Sequence, residues 1–203
     1  MTIRDCVKTN MSWSVCGNST NLDENYSDYQ KVGAHVISNN GTNWFNDFTI
    51  DKGSNDGIKE NCNVLAGSGL AGIVTEVGPD YARVRSIIDD SSNVSAMVLS
   101  TSDTCIVRGD LKLAADGRLR FEKLANNGNE IEVGEQVVTA HVSDRFVQGL
   151  FIGYISELEL DSNKLTYSGY ITPAVDFSKL QEVLVITSTK DDLTAQSAAK
   201  KEE

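Results

Sequence analysis

The sequence predicts an all-β protein built of two small six-stranded β-barrels, the C-terminal strand returning to complete the first. Three observations lead there. From residue 31 onward, about a dozen short apolar runs are separated by Gly, Asn, Asp and Pro turn signals, the rhythm of sandwiches and barrels. No long segment carries a 3.6-residue apolar period with caps. Two stretches repeat the same order of turn, strand, glycine and strand.

Residues 1–21 are polar and aperiodic, and with the short acidic stretch up to residue 30 they read as a disordered linker. The expected strands of the first barrel are Val32–Ile37, Trp44–Ile50, Asn63–Ala66, Leu70–Val77 and Tyr81–Ile88. Asn39–Asn43 with its Asn-Gly step separates the first two, and Gly78-Pro79-Asp80 is a tight turn between the last two. The second barrel takes Asn93–Leu99, Cys105–Arg108, Leu119–Leu124, Glu135–Ala140, Leu150–Leu160 and Leu165–Ile171. Asp116-Gly117 and Asn127-Gly128 read as hairpin turns. Asp176–Leu180 offers an N-cap and room for one helical turn, a crossover that carries Val183–Thr187 back to the first barrel. The expected partition is 31–92 plus 176–188, then 93–175, with a disordered tail over 189–203.

The repeat aligns Gly57-Ile58 to Val64-Leu65 with Glu130-Ile131 to Val137-Val138. It continues from Gly69-Leu70-x-Gly72 to Glu76-Val77 against Gly149-Leu150-x-x-Gly153 to Glu157-Leu158. A glycine inside a strand marks a sharp bend at a barrel corner, so the repeat predicts two barrels bent at matching places.

Composition removes several functions. The formal net charge is −11, with 40% hydrophobic and 23% charged residues. A pI near 4.6 opposes nonspecific nucleic-acid binding and docking on anionic lipid by charge alone. No run approaches the roughly 20 apolar residues that span a bilayer, and no N-terminal segment has the layout of a signal peptide. Cysteines 6, 16, 62 and 105 form no C-x-x-C pair, so ordinary thiols are expected rather than a zinc site.

The chemical motifs are weak. Gly67-x-Gly69-x-x-Gly72 fits a dinucleotide fingerprint only formally, because a strand follows where a helix must hold the pyrophosphate. Lys52-Gly53-Ser54 lacks the upstream glycine of a phosphate loop. His35 and His141 are the available histidine bases, one inside an apolar strand and one at a strand end, and both read as structural. Asp89-Asp90 reads as a solvated turn. Arg83 and Arg85 flank Val84 on a strand and so share one outward face. No catalytic residue, cofactor or metal is expected.

The string Asn43-Trp44-Phe45 through Asp51-Lys52-Gly53-Ser54 to Gly57-Ile58 resembles the rod shape-determining protein MreC family of bacteria. The likeness continues through Gly69–Val77, Tyr81–Arg85, Gly149–Gly153 and Pro173–Val185, and covers roughly residues 22 to 187. Two segments depart from the family pattern, Glu60-Asn61-Cys62 and Thr139–Phe146. The resemblance implies a non-enzymatic scaffold of cell-wall elongation on the extracytoplasmic face of the membrane. Its implied partners are a class B penicillin-binding protein, MreD, other elongation proteins and further copies of itself. It also implies a membrane anchor and coiled coil, which residues 1–21 do not contain, so a fragment of a longer protein is expected. Trp44, Phe45, Arg83 and Arg85 are the candidate partner-binding residues. The competing readings are a protease-like β-barrel hydrolase and a peptidoglycan-binding module.

Overall fold

The computed structural model describes residues 29–39, 46–125, 131–162 and 165–192. Its strands are β1 Lys31–Asn39, β2 Asp47–Ile50, β3 Asn63–Ala66, β4 Gly69–Val77, β5 Ala82–Ser86 and β6 Asn93–Val98. They continue with β7 Thr104–Arg108, β8 Leu119–Ala125, β9 Gln136–Thr139, β10 Phe151–Leu160, β11 Thr166–Pro173 and β12 Glu182–Ile186. All the pairings are antiparallel and close two barrels, β1-β12-β3-β4-β5-β2 and β10-β11-β8-β7-β6-β9. Closure leaves no unpaired sheet edge. The C-terminal strand β12 sits between β1 and β3, as the sequence predicts.

Matching the strands shows how far the repeat extends. Read from β3, the first barrel runs β3-β4-β5-β2-β1-β12; read from β9, the second runs β9-β10-β11-β8-β7-β6. β12, the last strand of the chain, therefore holds the place that β6 holds in the second barrel. The bends match too. The β4–β5 register shifts between Val74 and Glu76, and the β10–β11 register between Ile155 and Glu157. Just upstream stand Gly72 and Gly153. A Cβ on Gly72 would lie 2.2 Å from the Arg85 carbonyl oxygen, and one on Gly153 would lie 2.1 Å from that of Thr172. Only glycine lets the strand cross its neighbour so closely at these corners.

Inside, residues from every strand meet in one continuous buried cluster that spans both barrels. Phe48, Val84 and Leu65 belong to it from the first, Phe121, Leu119 and Ile152 from the second, and Phe177 and Leu180 from the crossover between β11 and β12.

Several local expectations change. Asp176–Leu180 is a turn rather than a helix. Its Asp176 carboxylate accepts from both the backbone and the hydroxyl of Ser178 (3.0 and 2.5 Å), which offers the backbone an alternative to helix. Asp116-Gly117 is not a hairpin turn but the end of a short helix, α1 Leu111–Ala115, that links β7 to β8. Asp110 caps it, accepting from Lys112 N (2.8 Å) and Leu113 N (3.1 Å), and Gly117 takes the left-handed φ of 70° that ends it. Where a tail is expected from 189, the described residues up to 192 pack on the barrels: Asp192 accepts from Lys59 Nζ at 3.1 Å, and Lys190 Nζ donates to the His141 carbonyl at 2.7 Å. At the other end Tyr29 already packs on the core. The turns at 39–43 and 127–128 reach outside the described residues, as do 1–28 and 193–203.

Candidate partner-binding surface

β5 lies between β4 and β2, and its burial alternates: Val84 is inside, Arg83 and Arg85 are outside. Arg83 faces Glu76 across the β4 bulge, and their Nη1–Oε2 distance is 3.1 Å. Arg85 lies 4.0 Å through Nε from both Asp47 Oδ1 and Asp89 Oδ1. Burial pushes the Asp47 carboxyl up, and the neighbouring Asp89 charge adds to that push, while Arg85 and Arg83 oppose it. The outer wall of the first barrel is thus a strip of opposed charges. Trp44 and Phe45 lie outside the described residues. The chain re-enters at Asn46, whose carbonyl accepts from Ser86 N at the end of β5 (2.7 Å).

Sequence reasoning missed the neighbour of this strip. Arg85 also borders a cleft of about 270 Å³ between the barrels, lined among others by Glu60, Asn61, Ser91, Arg145 and Phe146. Both segments that depart from the family pattern meet there, 60–62 from the first barrel and 139–146 from the second. The loop carrying Arg145, between β9 and β10, is docked on the first barrel by Asn63. This buried side chain donates to the Arg145 carbonyl (3.2 Å) and accepts from Val147 N (2.7 Å). Lys190 adds contacts to the His141 and Ser143 carbonyls of the same loop. Nothing in the spacing of these residues announces that they touch; the departures themselves were the available signal.

The histidines have local roles. His35 Nδ1 lies 3.1 Å from Asp51 Oδ2, and the His35 backbone N–H donates to Asp51 Oδ1 at 2.7 Å, which pins β1 to the end of β2. Among the described residues no serine or cysteine hydrogen-bonds His35, and no group of three His, Cys, Asp or Glu could hold a metal. The hairpin of β3 and β4 contains Gly67–Gly72, so strand does follow the formal dinucleotide motif. Cys62 and Cys105 are buried free thiols, and burial pushes the Cys105 thiol up to about 12. No described helix is long and apolar enough to cross a membrane.

The protein is an all-β double barrel whose outer walls on β5 and β8 carry opposed charges. Residues 36–187 match the family model described as rod shape-determining protein MreC, barrel core, and the chain belongs to that family. It is similar to the cell shape-determining protein MreC of Listeria monocytogenes, with 34% identity over 190 residues that cover 88% of this chain and 62% of that protein. The chain therefore spans under two thirds of that relative. A solved Listeria monocytogenes MreC structure matches with a TM-score of 0.70 and 32% identity, covering 85% of each chain. The fold also matches a chain of a structure described as the complex between penicillin-binding protein PBP2 and MreC from Helicobacter pylori. That match has a TM-score of 0.60 and 14% identity and covers 78% of this chain and 99% of that one.

Proposed function

We propose that this chain is a non-catalytic scaffold of bacterial cell-wall elongation, acting at the extracytoplasmic face of the membrane. It maintains rod shape by binding a class B penicillin-binding protein, MreD and other elongation proteins, and by self-association. The observation that carries the reading is the family match over both barrels, from residue 36 to 187. The Helicobacter pylori pair supports a penicillin-binding protein as partner, since its fold partner there shares the double barrel. Arg83 and Arg85 on β5, with Trp44 and Phe45 just before β2, form the proposed contact. Arginine and large aromatics concentrate binding energy at interfaces, and the flanking carboxylates suit a partner of mixed charge.

The test is binding of the purified chain to the class B penicillin-binding protein of the same cell, read by interferometry. Saturable binding is expected. Arg83→Ala with Arg85→Ala should weaken it at least tenfold, with circular dichroism checking that the double variant stays folded, because Arg85 faces the half-buried carboxylates of Asp47 and Asp89. Absence of wild-type binding at about 100 µM, some 5–6 kcal/mol of affinity, would overturn the partner reading. Equal binding by the double variant would overturn only the assignment of the arginines.

A further inference from the structure

We infer that the cleft between the barrels holds one carboxylate of a peptide segment, with Arg145 and Arg85 as its charged ligands. The inference rests on the reading of this chain as a protein-binding scaffold and names the chemistry that one of its surfaces takes.

The cleft lies where the second barrel meets the outer wall of the first. Cross-strand pairing sets Asn63, Ile73, Arg85 and Asp47 in one row across β3, β4, β5 and β2. Val74 and Val84, neighbours of Ile73 and Arg85, point into the barrel, so this row points outward. At one end Asn63 is buried under the loop of Arg145, and Ile73 beside it is 7% exposed. Further along the row Arg85 is half-buried, at the border of the cleft. The space of about 270 Å³ has room for one or two side chains. It is smaller than most small-molecule pockets, which run from about 300 to 1,000 Å³.

Several polar groups lining this space lack a partner. Arg145 sits on a loop fixed through its own carbonyl and through Val147 N. Among the described residues its guanidinium makes no ion pair or hydrogen bond. Arg85 stays 4.0 Å from both Asp47 and Asp89, too far for a hydrogen bond to either. Ser92 is 8% exposed, and its backbone is held at both ends: its N–H donates to the Asp89 carbonyl (2.8 Å), and its carbonyl accepts from Gly109 N (3.0 Å). Its hydroxyl has no partner among the described residues, and neither has the side-chain amide of Asn61. Buried polar groups are ordinarily paired. Two guanidinium groups, a hydroxyl and an amide, all able to donate, suit an oxyanion.

The oxyanion carries one charge rather than two. The chain bears −11, and Glu60 also lines the cleft, so a phosphate dianion is repelled more than a carboxylate. Ile73 and Phe146 add apolar lining, which gains by covering the stem of an acidic side chain or an apolar neighbour.

NMR titration of the isotope-labelled whole chain with acetyl-Leu-Glu-Leu-amide tests this. The Gln analogue and inorganic phosphate serve as comparison ligands. Saturable amide shifts are expected at Asn61, Ser92 and Phe146, with dissociation near about 1–10 mM, and none with the Gln analogue. Arg145 is exposed, so Arg145→Ala should stay folded by circular dichroism and bind about tenfold more weakly or worse, with Arg145→Lys between the two. Equal binding of the Gln analogue, tighter binding of phosphate, or full binding by Arg145→Ala would each overturn the inference. So would the absence of saturable shifts up to about 50 mM. Peptide binding without any penicillin-binding-protein binding would overturn that partner and support the cleft. The reverse pair of results would overturn the cleft alone.

Discussion

Asn63→Ala should cost this protein about 2–4 kcal/mol. Asn63 is fully buried and works at the junction between the barrels. Its Oδ1 accepts from Val147 N at 2.7 Å, and its Nδ2 donates to the Arg145 carbonyl at 3.2 Å and the Asn61 carbonyl at 3.3 Å. Truncation leaves the N–H of buried Val147 without a partner, which costs about 1–3 kcal/mol. The Arg145 carbonyl belongs to an exposed residue and regains water, so losing that bond adds only the net worth of a hydrogen bond, about 1 kcal/mol. Against a typical total of about 5–15 kcal/mol this is a large share. For a chain of this size it lowers Tm by roughly 4–16 °C. Urea denaturation followed by far-UV and near-UV circular dichroism reads the loss. The two probes should give coincident transitions, because one core spans both barrels. A loss below about 0.5 kcal/mol would refute the reasoning, since it would mean that the loop docks without Asn63.

Other outcomes follow from single features. Gly72→Ala and Gly153→Ala should each destabilise by about 1–3 kcal/mol or more in thermal melts, because the new methyl meets a carbonyl at 2.2 or 2.1 Å. Gly117→Ala, where a Cβ meets nothing within 4 Å, should cost only the left-handed backbone, about 1 kcal/mol. Stability should fall as pH rises from 9 to 12 and fall less in Cys105→Ala. Burial holds the folded thiol up to about 12 against an ordinary 9.0, so the unfolded chain releases that proton first. The Cys105 contribution is complete below pH 9 and is lost through pH 12. Native Cys105 should also resist thiol reagents at pH 8 and react once urea unfolds the chain; labelling of folded protein at the unfolded rate would contradict the burial.

The strand pattern was legible because a half-buried strand writes its alternation locally. β4 and β10 each keep apolar residues inside and end in Glu plus an apolar residue, and their glycines sit at matching bends. The return of β12 was legible by a different route: the first barrel had one strand too few. Features shorter than a period were not. α1 spans five residues, too few to show a helical repeat, although Asp110 stood ready as its cap. Asp176 carried the same capping signal, and its segment ends as a turn before β12 begins at Glu182.

By itself the sequence determined the class: all-β, glycine-bent, duplicated, and of the MreC family through the string from Asn43 to Ile58. Local alternation and turn chemistry are written residue by residue, so they need no partner to be read. Only the tertiary structure decided that Asn63 holds the loop of Arg145 and Val147, and that Lys190 ties the C-terminal segment to that loop. Those contacts join residues far apart in the chain. Their energies depend on distance and burial after closure, and neither quantity exists until both barrels have formed.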